Sequence, residues 1–485
     1  MLILKKRLDL WLPTYALMTA ARAYGRIRRR SQLTHIVFLV CDHFEPRHGI
    51  SHDRQPFVRL HTWREKYASF QERCRATFGT APMHTWFYPP HHGVEHLSSL
   101  SDMVFDGMGE VELHYHHDGD TAESLTRDLK STLAEYHRWG LLLGSGENPR
   151  AMFGFIHGDW ALNNSCAGKY CGVNNETDIL RELGCWGDFT MPSANNCQTR
   201  KINSVYYADG DTGHPKSHDW GHDAQVGKLD PPGFFMMQGP LGINWRAPGY
   251  PRIENASLTN DNWGRPDRIR KWIDCQVHVK GRPDWLFVKL HAHGAIERDF
   301  DALFGEKAFK MHQVLNEKYN DGRRYRLHYV TARQAYNIAK AAEAGMSGSP
   351  SDWLDYRVPP PPHVFYSLDT PHDLIHCTRD RLEIEGIEHC RRAHLRTRVG
   401  PIEHIAGAIC AVEIDTSVAR VRIFAAEPHT EVNVRLKPTF QIEEIEGGTI
   451  LQRPDPSEQG EWRLSVGPEC RISYSDVRAN AMVPL

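Results

Sequence analysis

The segment Gly109–Thr121 reads GEVELHYHHDGDT and gathers His114, His116, His117, Asp118 and Asp120 at the end of an apolar stretch. Imidazole is a common metal ligand and titrates nearest neutral pH. Side chains alternate along a strand, so Glu112, His114 and His116 share one face and Val111, Leu113 and Tyr115 the other. Two imidazoles two positions apart project side by side, within reach of one ion. LHAHG repeats the pattern with His291 and His293, CDHFEP supplies Asp42, His43 and Glu45, and FIHGDW supplies His157 and Asp159.

These residue types suit metal-assisted hydrolysis. A zinc-type site uses three N/O ligands and keeps a position for water. The ion lowers that water's pKa and polarises a carbonyl, while a carboxylate and an imidazole exchange protons with water and leaving group. One divalent ion, zinc by ligand type, is expected on His114, His116 and either Asp42 or His43. Asp42 is the expected base; if it ligates instead, Glu45 takes that role, although a carboxylate before Pro46 reads equally well as surface. His291 or His293 is the expected acid. His117 and Asp118 would orient ligands, and His157 and Asp159 would line a substrate cleft or be structural.

Such groups must be positioned by the ends of strands. THIVFLVC, HTWFYP, EVELHYH, AMFGFIH, DFTMPS, FFMMQ, WLFVKLHAH and RLHYVT read as short buried strands, separated by helical stretches such as Ala122–Leu143 and Arg298–Tyr319. Strands alternating with helices over residues 34–345 predict an α/β fold, a distorted β/α barrel of parallel strands, with an open doubly wound sheet as the alternative. In such folds functional groups collect at the carboxyl ends of strands. No glycine-rich phosphate loop follows any strand. Residues 346–363, ending in four prolines, read as a stiff linker. Residues 364–485, with segments such as ARVRIFAA and TEVNVRL, read as a small all-β sandwich-like domain in an accessory role.

The chain has 485 residues, 58 basic and 60 acidic side chains, 29 histidines and 11 cysteines. The balanced charge gives no field to draw nucleic acid. The cysteines form no CxxC pair, which argues against a disulfide framework and for a reducing, cytoplasmic setting; a local Cys166–Cys171 bridge is not expected. Residues 1–33 are basic and amphipathic, ending in the cluster Arg26 to Arg30. They lack the apolar run of a signal peptide or a spanning helix. Either peripheral contact with a membrane through residues 1–30 or a helix packed on the domain suits them. Oligomeric state is not legible.

The order of these motifs resembles the polysaccharide deacetylase superfamily, whose catalytic domain is a distorted β/α barrel, the NodB-homology domain. The likeness covers residues 34–335 and lies in order and position. CDHFEP stands where that family has a Thr-Phe-Asp-Asp-Gly-type motif, so the resemblance implies Asp42 as base and puts His43 in place of a metal-binding aspartate. HYHHDGD stands for the His-Ser/Thr-x-x-His motif, matching His114 and placing Asp118 four positions on. LHAHG implies the late acid as His291 or His293, and MPSANNCQTR offers Arg200 for the family's arginine. HGDWALNNS and LHYVTARQAYN are similar to a divergent branch of such proteins. The resemblance implies a metal-dependent hydrolase that removes acetyl or other acyl groups from a polysaccharide or glycan precursor. Two rivals stand beside it. One is a metal-independent glycosidase using Asp42 and Asp159, which requires carboxylates roughly 5–10 Å apart. The other is a non-catalytic glycan-binding or scaffolding protein.

Overall fold

The computed structural model describes residues 6–28, 33–137, 139–144, 150–193, 195, 197–361 and, in shorter stretches, the strands between 364 and 476. Two compact units divide the chain. The first comprises residues 1–96, 107–132 and 152–358; the second comprises residues 97–106, 133–151 and 359–485.

In chain order the elements up to residue 343 are α1 (Leu8–Arg28), β1 (Thr34–His43), α2 (Gln55–Phe78), β2 (His84–Tyr88), α3 (Leu97–Phe105), β3 (Gly109–Tyr115), α4 (Ala122–His137), β4 (Phe153–His157), α5 (Glu176–Glu182), β5 (Cys185–Asp188), β6 (Val205–Ala208), β7 (Gly221–Asp223), β8 (Phe234–Met237), β9 (Gly242–Asn244), β10 (Arg252–Glu254), β11 (Ser257–Leu258), α6 (Pro266–Asp274), β12 (Trp285–Ala292), α7 (Phe300–Leu303), α8 (Glu306–Tyr319), β13 (Tyr325–Tyr329) and α9 (Ala332–Glu343).

The first unit is built on a curled, largely parallel sheet of order β11-β12-β1-β2-β3-β4-β5-β8-β6-β7, with β13 on β1. This is the expected distorted β/α barrel in its open form, since the hydrogen-bonded path does not close among the described residues. β1 is paired throughout by β12; its other edge takes β13 along Thr34–Phe38 and β2 along Cys41–His43. Both faces of β1 are buried, as a parallel sheet demands. Val37, Leu39 and Cys41 join one cluster with Phe87, Ile156, Phe287 and the alanines of α9, while Phe38 on the other face meets Trp272 of α6 and His312 of α8.

Register then decides which polar groups meet. Parallel neighbours opposite one another share a face. His291 lies opposite Cys41, Phe87 opposite His43 and Glu112, and Ile156 opposite His114. His43, His291 and His114 therefore extend one face at the carboxyl ends of their strands. Asp42, Tyr115 and His157 belong to the other.

Three sequence expectations change here. The strand read from Asp188 to Ser193 ends at Asp188, and residues 205–258 extend the sheet with β8, β6 and β7 at one edge and β11 at the other, while β9 and β10 pair only with each other. The segment read as a linker starts as part of the first unit: Arg333 and Asn337 donate to the Leu354 and Val358 carbonyls, and Asn337 Oδ1 accepts from the amides of Arg357 and Val358. Cys166 and Cys197 form a disulfide, contrary to the reading that disfavoured one; the fold closes a loop onto a distant segment, which spacing alone does not reveal.

In α1 the apolar stripe of Leu8, Trp11, Leu12, Tyr15 and Met18 packs with Ile202, Leu241, Ile243 and Ile253. The arginines of the cluster Arg26 to Arg30 lie outside the described side chains. No described helix is long and apolar enough to cross a membrane. In the second unit, ten antiparallel strands between Val364 and Asp476 form the expected all-β domain, joined in one hydrogen-bonded sheet. Its core holds Ile405, Val412, Ile423, Val432, Leu464 and Ile472.

Candidate metal centre

His114 and His116 carry the centre. The His114 Nδ1–H donates to the Ile156 carbonyl at 2.9 Å, which turns Nε2 toward the other groups of the centre. That Nε2 lies 2.9 Å from His116 Nε2, and the Glu45 Oε1 lies 3.2 Å from His116 Nε2 and 3.7 Å from His114 Nε2. Asp159 Oδ2 sits 3.4 Å from His116 Nδ1 and orients the ring from its far side. Glu45, His114 and His116 thus converge as three metal-capable groups. Burial raises the Glu45 pKa, but its hydrogen bonds with His114 and His116 outweigh that and hold the carboxyl well below the usual carboxylate range.

More imidazoles crowd the same space. The His43 ring centroid is 4.7 Å from that of His114, 4.9 Å from His293 and 5.9 Å from His291, and His91 lies 5.0 Å from His116. Burial, reinforced by neighbouring rings, pushes His43 well below its ordinary value; burial likewise lowers His291 and His293 and takes His91 to about 4. Trp160 borders His43, His291 and His293 at 5.7–6.4 Å between centroids. His43 Nε2, His291 Nδ1 and Trp160 Nε1 are buried without a hydrogen-bond partner. Polar atoms left so are costly unless something else meets them. Bare imidazole nitrogens around a carboxylate are a donor set that fits a zinc-type ion.

Several expected residues stand elsewhere. Asp42 is not available as base or ligand: on the opposite face from His43, its Oδ1 accepts from the Gly294 amide at 2.6 Å and its Oδ2 meets His84 Nε2 at 2.8 Å. A Cβ at position 294 would collide with that carboxylate, so a glycine is needed there for close approach. The same bonds remove the Asp42/Asp159 glycosidase pair. Glu45 is buried against the histidines, so the reading of it as a surface carboxylate falls. Asp118 accepts from the Tyr170 amide at 2.7 Å and holds a loop. Arg200 is largely exposed, over the Trp220 ring and its amide on Asp219.

His117 and His157 belong to a second cluster with Cys171 and Glu176. His157 Nε2 is 3.0 Å from His117 Nε2; the Glu176 Oε1 is 3.1 Å from His117 Nε2 and 3.3 Å from His157 Nε2. Burial takes His157 down to about 4, whereas hydrogen bonds with Cys171 and Glu176 overcome burial and take His117 up to about 10. Cys171, Glu176, Trp160, His84 and His91 were not picked from sequence. The run PPHHG signalled His91; Cys171 and Glu176 carry no local signature, because tertiary closure brings them in.

No known protein family matches this chain, and no curated protein does. Among solved structures it is similar to a candidate glycoside hydrolase/deacetylase from Parabacteroides distasonis, at 9% identity over 82% of this chain and 87% of that one, with a TM-score of 0.31. It is also similar to a candidate α-L-fucosidase from Bacteroides thetaiotaomicron, at 10% identity over 93% of both chains and a TM-score of 0.28. The catalytic module of a family 98 glycoside hydrolase from Streptococcus pneumoniae TIGR4 follows at 6% identity, 95% and 86% coverage and 0.18. Such slight likeness transfers no activity.

Proposed function

We propose that this protein is a metal-dependent hydrolase that removes an acetyl or other acyl group from a glycan or glycan precursor. The observation that carries the metal is the convergence of the His114 and His116 Nε2 atoms on Glu45, beside buried nitrogens that lack partners. The order of motifs along the chain supports the acyl-transfer chemistry and the carbohydrate substrate. Glu45, His114 and His116 would hold the ion, with His43 beside them. Such an ion, when bound, supplies a water of lowered pKa and polarises the scissile carbonyl.

The chain's own groups supply the rest. Asp159 and the Ile156 carbonyl fix the His116 and His114 rings so that their Nε2 atoms face inward. His293, neutral and beside His43, is placed to take a proton and return it to the leaving group. The Trp160 Nε1–H is free to donate to a substrate oxygen. Asp42 acts only by fixing the backbone at Gly294, next to His293.

The test is metal content and acetate release on acetylated glycans, for wild type beside His114→Ala/His116→Ala. Wild type is expected to hold an ion at this centre that the double variant lacks, and to release acetate at least 100-fold faster, the scale of a lost metal-bound nucleophile. Equal metal content in the two proteins overturns the reading.

A further inference from the structure

The geometry points to a second metal site, a closed structural zinc site formed by His117, His157, Cys171 and Glu176. It lies on the opposite face of β3 and β4 from the centre described above and does not depend on that centre's activity.

Proton bookkeeping carries it. The His117 Nδ1 faces Asp120 Oδ2 at 2.9 Å and the His157 Nδ1 faces the Gly158 carbonyl at 2.5 Å. Both partners only accept, so each Nδ1 carries a hydrogen and each Nε2 is left to share either a proton or a metal ion with its neighbours. Those two Nε2 atoms face each other at 3.0 Å, with the Glu176 Oε1 at 3.1 and 3.3 Å. Three acceptors turned on one point repel unless a cation or an extra proton lies between them.

The fourth corner favours a metal over a proton. Cys171 Sγ lies 3.5 Å from Glu176 Oε2, accepts from the Val173 amide at 3.4 Å, and is within 4.8 Å of the other donor atoms. Ligands at 2.0–2.3 Å around a tetrahedral ion stand about 3.3–3.8 Å apart. The observed separations are close to that span. All four side chains are buried, which leaves no open position for a substrate. Sulfur with two imidazoles and a carboxylate suits zinc.

The setting shows what such a site would hold. Between β4 and α5 the chain places Asp159, Trp160, Asn163, Asn164, Ala167 and Tyr170 at positive φ, an unfavourable path that needs external fastening. Asp120 serves both ends: its side chain holds His117, and its amide donates to the Cys171 carbonyl at 3.0 Å, an approach open only because Gly172 has no Cβ. A metal there would fix the loop that delivers Asp159 and Trp160 to the first centre.

The test is X-ray absorption at the zinc edge on the full-length wild-type protein, with cobalt-substituted protein read by absorbance. Expected are a zinc–sulfur shell near ~2.3 Å and a sulfur-to-cobalt charge-transfer band, both lost in Cys171→Ser and both kept in His114→Ala/His116→Ala. The first centre contains no sulfur, so its failure and the failure of this site read separately. Absence of a zinc–sulfur shell from zinc-loaded wild type overturns the inference without any variant. So does a charge-transfer band that survives Cys171→Ser.

Discussion

Asp42 and His43 are neighbours in sequence and opposites in role, because alternation sends one to each face of β1. Asp42 is fully buried and bridges His84 to the Gly294 amide. Asp42→Ala would strand both partners in the core and is expected to cost about 3 kcal/mol, measured by denaturant unfolding. A variant with full stability and abolished turnover would instead restore Asp42 as the base. The paired histidines were legible because strand period is a local rule. His114 and His116 had to share a face, and they do. The approach of Glu45 to the two histidines was not legible: it follows the end of β1, where alternation lapses and loop geometry decides. Cys171 was invisible for a similar reason, since its partners lie 54, 14 and 5 residues away and meet only when the loop closes.

Elements carry their own test. Helix α8 seats His312 against Phe38, Phe70 and Tyr329, whose hydroxyl meets the ring at 2.8 Å. Burial alone lowers its pKa to about 3. Above pH 6.5 both folded and unfolded chains hold it neutral, so it adds no pH dependence there. As pH falls from 6.5 toward 3 the unfolded chain binds a proton that the folded one refuses, and stability drops. In His312→Gln the slope of stability against pH over that window is expected to fall by up to about 1.4 kcal/mol per pH unit. Equal slopes in chemical denaturation would place His312 in contact with water. At this scale the long strands of the sheet were readable, because buried β-branched and aromatic runs such as THIVFLVC suit few other states. Of the strands between 205 and 258 only β8, read as FFMMQ, was; the others were not. At two to four residues each, they have no measurable period and form through pairing alone: β6 on β8, β7 on β6, β11 on β12, and β9 with β10.

The whole molecule is two units with interleaved chain, since residues 97–106 and 133–151 cluster with the C-terminal sheet and not with the strands that flank them. A chain ending at residue 361 would keep Leu97, Leu100 and Met103 of α3 while losing most of their unit. It is expected to melt at a lower temperature than the intact protein and to aggregate on heating, measured by calorimetry and light scattering. An unchanged melting temperature would show that the first unit stands alone. That interleaving escaped the sequence reading, which placed one boundary near residue 345; periodicity reports elements, not the company they keep. The divided edge of β1 has a consequence in time. His35 pairs with Trp285 and Thr34 with Tyr325. At a synthesis rate of about 5–20 residues per second, the run Ile36 to Val40 waits on the order of ten to fifty seconds after leaving the ribosome for those partners to be made. The strand that leads into His43 and Glu45 is thus among the first to be made and among the last to be fully seated, and the interval before its far edge is covered is when a newborn chain has most need of a chaperone.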